Sequence, residues 1–218
     1  MNLNFLTPFE NIPYFTVESF KQLLEEKVTD PRYANVILHR WAKAGHVIPL
    51  KKGLYMTRRF FEFHRSDANF SMAVSAILLP LSYVSLEYIL QRRGVLTEVT
   101  YPITAITIKN TRTVENKLGL FTYRHIKSPY YYGFSISEYY GSPFAQASLA
   151  KALFDYLYLR PIKGVLQIKD VNLAEELRLN LDEFSPPERE EFRGYVEISQ
   201  IPKMVRIAEN LRKTIWRP

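Results

Sequence analysis

Asp30–Met56, DPRYANVILHRWAKAGHVIPLKKGLYM, is the stretch around which the rest of the chain is organised. Asp30 is suited to cap a helix. Pro31 fits the first turn, where its missing N–H has no partner to lose, and Gly45 supplies the left-handed residue that closes the helix. A helix is therefore predicted over Pro31–Ala44. Within it Ala34, Ile37, Leu38, Trp41 and Ala44 recur at steps of three and four, which gathers them on one face for burial. Arg32, Asn35, His39, Arg40 and Lys43 are left facing outward. After Gly45, Val47–Leu50 and Leu54–Met56 read as two short extended runs joined by Lys51, Lys52 and Gly53.

Charge gives this helix and hairpin a meaning. From Asp30 to Phe60 the basic residues are Arg32, Arg40, Lys43, Lys51, Lys52, Arg58 and Arg59, against the single acid Asp30, a local balance of +6 in a chain whose whole net charge is +7. A helix exposing Asn and Arg beside a basic hairpin suits DNA. It can enter the major groove, where Arg reads guanine and Asn reads adenine, while hairpin lysines neutralise phosphate. The expected interface is Arg32, Asn35, His39, Arg40, Lys43, Lys51, Lys52, Tyr55, Arg58 and Arg59, on a winged helix-turn-helix. The plainer alternative is an amphipathic helix with a solvated face and a surface hairpin.

The composition, 47% hydrophobic and 23% charged over 218 residues, is that of a folded soluble protein of one large domain or two small ones. With no cysteine in the chain, disulfides, thiolate metal sites and cysteine nucleophiles are excluded. The N-terminal MNLNFLTPFENIPYF has neither the basic start nor the apolar run of a secretion signal, and the longest apolar run, Ala76–Leu81, is too short for a bilayer. A cytoplasmic protein with no membrane partner is expected. The pI near 9.4 favours an anionic partner.

Before the opening stretch, Thr16 is an N-cap for a helix carrying Val17, Phe20, Leu23 and Leu24 and ending near Lys27, with Val28 and Thr29 forming the turn into Asp30. Phe5–Phe15 is left open between a short helix and a packed arm. After the hairpin, the basic and aromatic Arg58–Arg65 reads as the join between two domains, residues 1–62 and 63–218. Helices are expected from about Asp67 to Leu79 and from about Leu86 to Arg93, separated by Pro80 and a Ser82–Ser85 cap region. Ile103–Ile108 and Leu120–Ile126 have the composition of strands. Pro143–Leu159, Leu173–Leu181, Pro186–Val196 and Pro202–Ile215 have helical spacing. The helices within Leu173–Val196 are mainly acidic and the last is basic, so they are expected to pack on one another. The fold class is α+β: a winged helix-turn-helix followed by a mixed α/β domain ending in helices.

Enzymatic signatures are sparse. His39, His46, His64 and His125 lack metal-ligand spacing, and no phosphate-binding glycine loop or hydrolase elbow occurs. Gly141-Ser142 with Asp155 loosely resembles the opening of a nucleotidyltransferase motif, but Leu157 stands where the second carboxylate of the metal clamp belongs. Ser142 then reads as an N-cap and Asp155 as a helix-surface or structural acid. Tyr130-Tyr131-Tyr132, near Arg124, His125 and Lys127, is suited either to stacking on bases or to packing at a strand edge. No catalytic residue, metal or cofactor is expected.

Three segments resemble the AbiEi-type antitoxins, the regulator half of type IV (abortive infection) toxin–antitoxin systems. They are Trp41–Tyr55, Tyr83–Leu90 with Gly94, and Ala147–Tyr158 with its Lys151-Ala-Leu-Phe-Asp155. The resemblance runs from about Thr16 to Leu159 and implies an N-terminal winged helix that binds operator DNA and represses its own operon. It also implies a C-terminal domain acting against a nucleotidyltransferase-like toxin encoded by a neighbouring gene. The tail from Asn172 onward matches nothing in that family, and no residue of the antitoxin activity is assigned. Operator sequence and oligomeric state are left open. The rival readings are a winged helix that binds protein and a nucleic-acid-processing enzyme.

Overall fold

A computed structural model of the chain describes residues 3–25, 31–97, 102–162 and 171–217. The protein is mixed α/β, and helices open and close the sequence of elements. The chain divides into two compact units: residues 1–80 with 113–121 and 137–144, and residues 81–112 with 122–136 and 145–218. Arg58–Pro80 thus groups with the first unit and not with the second.

In the first unit a 3-10 helix, Leu3–Phe9, leads to a two-residue strand β1 (Phe15–Thr16), helix α1 (Val17–Glu25) and helix α2 (Pro31–Ala44). Thr16 Oγ1 accepts the Ser19 N–H, as an N-cap should. Gly45 closes α2 in the left-handed region at φ 81°. The antiparallel hairpin β2 (Val47–Lys51) and β3 (Leu54–Thr57) comes next, and β1 pairs with β3 to give the order β1-β3-β2. Phe5–Phe15 therefore holds both a helical turn and an edge strand. The Asp30 cap, the Val28–Thr29 turn and Lys27 lie outside the described residues.

Ala34, Ile37, Leu38 and Trp41 are buried with Phe9, Phe15, Val17, Phe20 and Leu24 in one apolar cluster. Trp41 meets Phe20 edge-on at 5.3 Å between ring centroids. Ala44 is exposed, contrary to its place in the predicted stripe, because it sits in the last turn as the chain leaves the core. Arg58–Arg65 is not a simple join. Helix α3 (Arg58–His64) starts directly from β3, with Thr57 Oγ1 accepting the Phe60 N–H and Phe60 buried. Helix α4 (Phe70–Leu78) lies within the same unit.

Ser82–Ser85, expected as a cap region, contains strand β4 (Ser82–Val84), which runs into helix α5 (Glu87–Arg92). The strand is short and buried at every position, so it shows no alternation to betray it. The larger sheet has the order β6-β7-β5-β4-β9-β8, from β5 (Ile103–Thr107), β6 (Arg112–Asn116), β7 (Gly119–His125), β8 (Phe134–Tyr139) and β9 (Ser142–Ala147). β4 lies antiparallel to β5 and parallel to β9. The predicted helix Pro143–Leu159 is thus strand β9 followed by helix α6 (Leu149–Leu159). Ser148, not Ser142, is the cap, its Oγ accepting the Lys151 N–H. Phe144, Ala147 and Ala150 happen to fall at helical steps, which conceals the change of period.

Every residue from Leu149 to Leu157 is buried, Lys151 and Asp155 included. The Lys151 ammonium is paired with Asp155 Oδ1, while Tyr83 OH and Ser85 Oγ donate to Oδ2 at 2.9 and 2.8 Å. Of the two readings of Asp155, a helix-surface or a structural acid, its complete burial leaves the structural one. Burial lowers the pKa of Lys151 and raises that of Asp155, and Tyr83 is raised by burial and then by the neighbouring carboxylate. The tyrosine run packs around the same place. Tyr131 lies against Tyr83 and Phe134, Tyr132 against Tyr195, and Tyr130 against Phe154 and Tyr158.

The C-terminal helices are α7 (Leu173–Glu176), α8 (Pro186–Ser199) and α9 (Pro202–Thr214). Left-handed Arg178, at φ 52°, stops α7 short of the predicted Leu181. What α9 buries is Met204, Ile207 and Leu211. The acids Glu190 and Glu197 of α8 pair with Arg193 of the same helix, and Glu188 pairs with Arg93. Lys203 donates instead to the carbonyls of Tyr158 and Arg160.

Removing one member of a buried ion pair strands the other charge. Asp155→Ala is expected to cost about 3–5 kcal/mol, measured as a lowered midpoint of urea unfolding of the full chain. A wild-type midpoint would show that the pair contributes nothing.

Candidate nucleic-acid interface

The packing of α2 fixes which of its side chains meet solvent. With Ala34, Ile37, Leu38 and Trp41 turned inward, Asn35, His39, Arg40 and Lys43 are all exposed, together with Tyr33 and Val36. The side chain of Arg32 lies outside the described residues. Helix α2 contains no acid, and neither Arg40 nor Lys43 has an ion pair to any described residue. The exposed face thus combines cations, an amide and an imidazole at helical spacing, the set of groups that reads base edges and phosphate.

The hairpin is less free than its sequence implies. Lys51 Nζ donates to the carbonyls of Ile77 and Leu78 at 3.2 and 2.7 Å, satisfying the C-terminal end of α4 where a cation is favoured. Asn116 Nδ2 donates to the Leu50 carbonyl at 3.0 Å, anchoring the same strand. Both lysines are exposed, but Lys51 serves as a structural cap, whereas Lys52 stands at the turn beside left-handed Gly53 at φ 77°. Adjacent in sequence, the two lysines look equivalent, because the carbonyls that distinguish them are distant in the chain.

The remaining expected residues divide as well. Tyr55 is half-buried, its ring stacked on Phe15 at 5.9 Å, so it belongs to the core of the first unit. Arg58 bonds to Glu62 at 2.6 Å and Arg59 lies 3.4 Å from Glu10. Both arginines are more than half exposed, but each has an acid beside it that offsets its field. Of the expected residues, Asn35, His39, Arg40, Lys43 and Lys52 are exposed with neither an ion pair to a described acid nor the carbonyl bonds that hold the equally exposed Lys51. Tyr33 and Val36 are further members of the face, absent from the expected interface. Helical spacing places them there, but their apolar character points to burial instead.

Elsewhere, no group of three or more histidine, aspartate or glutamate side chains is placed to hold a metal among the described residues. No described helix is long and apolar enough to cross a membrane. No family model matches the chain, and no curated protein matches it either. The likeness to AbiEi-type antitoxins stands on the quoted residues alone. Of these, Lys151 and Asp155 are occupied in the buried pair, and Lys51 in capping α4.

The two hairpin lysines should respond differently to neutralisation. Lys51→Met is expected to lower unfolding free energy by about 1.5–3 kcal/mol through loss of charged hydrogen bonds, whereas Lys52→Gln should leave it within about 0.5 kcal/mol. Urea unfolding of the two variants distinguishes them, and equal midpoints would contradict the assignment.

Proposed function

We propose that the protein is a DNA-binding transcriptional regulator whose first unit is a winged helix-turn-helix. Helix α2 enters the major groove, and Lys52 at the hairpin turn contacts phosphate. The observation that carries this is the acid-free outward face of α2, with Asn35, His39, Arg40 and Lys43 exposed beside a basic turn. The succession of helical turn, strand, two helices and hairpin, with β1 pairing on β3, supports the same reading. The net charge of +7 supports an anionic partner.

The resemblance in Tyr83–Gly94 and Ala147–Tyr158 extends the proposal. The second unit, which carries both segments, is the antitoxin part, counteracting a nucleotidyltransferase-like toxin, and DNA binding by the first unit represses the shared operon. The enzyme alternative rests on the tyrosine run, whose rings are engaged in packing. The proposal assigns no reaction to the chain.

In a binding assay with the duplex upstream of the gene, Asn35→Ala is expected to cost about 1–3 kcal/mol against that sequence and to relax preference at one base pair. Lys52→Gln should weaken all sequences alike and reduce the slope of log K against log salt by about one. Duplex-independent loss in the first variant, or an unchanged slope in the second, would count against these roles. To separate the two activities in the intact chain, Asn35→Ala with Arg40→Ala should abolish operator binding while still restoring growth to cells expressing the adjacent gene's product. Loss of both together would remove the division of labour.

A further inference from the structure

Val36 occupies an unexpected place on α2. Steps of three, four and seven from it lead to His39, Arg40 and Lys43, and a step of three back leads to Tyr33, so it lies on the midline of the outward face. It is 43% exposed. A single exposed apolar residue is ordinary on a protein surface. Two circumstances set this one apart. A β-branched residue at a solvated helix position gives up helix propensity without gaining burial. Its neighbours, moreover, are the cations and the amide of an acid-free face, surroundings that a neutral apolar partner would have to desolvate at a cost.

DNA offers a match for that combination. The major groove wall carries donors and acceptors of hydrogen bonds, flanking phosphates, and one apolar group, the thymine 5-methyl. We propose that Val36 is a specificity-determining residue that packs on a thymine 5-methyl, so that the recognised duplex carries a thymine at a fixed position under the centre of α2. The proposal rests on the DNA-binding reading. It adds to it the kind of sequence that is recognised, with apolar contact at the middle of the helix and polar contacts from Asn35, His39 and Arg40 around it.

Uracil in place of thymine deletes only the methyl group and leaves pairing and every hydrogen-bonding edge intact, which makes it the probe. The full chain is used to select duplexes from a random pool, and the enriched duplex is then made with each thymine replaced in turn by uracil. At one position uracil is expected to weaken wild-type binding about fourfold, the effect of exposing one methyl group again. Val36→Ala, which remains a good helix former, should bind the thymine and uracil duplexes equally. An enriched duplex whose affinity is insensitive to uracil at every position, or discrimination that survives in Val36→Ala, would overturn the assignment of Val36 while leaving DNA binding in place. Failure to enrich any duplex would overturn the DNA-binding reading and this inference with it.

Discussion

Burial of one face of α2 is the constraint on which the first unit depends. Trp41 and Leu38 are almost wholly removed from solvent, and with Ala34 and Ile37 they join Phe9, Phe15, Phe20 and Val47 in one apolar cluster. A fully buried side chain of this kind contributes about 1.5–3 kcal/mol, so rotating the helix by even a third of a turn would forfeit several such terms. The rotation is thereby fixed, and the opposite face is fixed with it. The outward position of Asn35, Val36, His39, Arg40 and Lys43 is set by packing on the other side of the helix, not by any interaction among themselves. A surface held in this way is preorganised for a rigid partner, because little ordering cost falls on binding.

The second unit is organised around a charge rather than an aromatic ring. Lys151 and Asp155 are both completely buried, and the carboxylate is satisfied by the ammonium, Tyr83 OH and Ser85 Oγ. The rings of Tyr83, Tyr132 and Phe154 lie within 5.5 Å of the ammonium. Such a network favours one arrangement of β4 against α6, since any slip would leave a buried charge unpaired. Gly133 is drawn into it. A Cβ there would come within 2.7 Å of Tyr195 OH and 2.9 Å of Lys151 Cδ, and the residue is left-handed at φ 76°.

Much of the first unit was legible in the sequence because its signals are local. A cap at Thr16, the stripe Ala34-Ile37-Leu38-Trp41, a closing Gly45 and a Lys-Gly turn each act within a few residues. The second unit was less legible. Strand β4 is buried at every position and so shows no alternation, and the apolar residues of β9 run on at helical steps into α6, which conceals its strand period. The interface divides the same way. Periodicity placed Asn35, His39, Arg40 and Lys43 outward on α2 but missed Tyr33, Val36 and Ala44, and only long-range geometry separates Lys51, bound to the carbonyls of Ile77 and Leu78, from Lys52. Likewise Tyr55 is distinguished from a surface tyrosine by its stacking on Phe15, a residue far from it in the chain.

The central claim is that the outward face of α2 is where duplex DNA is held. Chemical-shift mapping of the isotopically labelled full chain, titrated with the duplex upstream of its gene, tests this most directly. The predicted result is a set of perturbed amides concentrated at Asn35, Val36, His39, Arg40, Lys43 and Lys52, diminishing as salt is raised. Perturbations confined to the second unit, with α2 unchanged at saturating DNA, would contradict the claim.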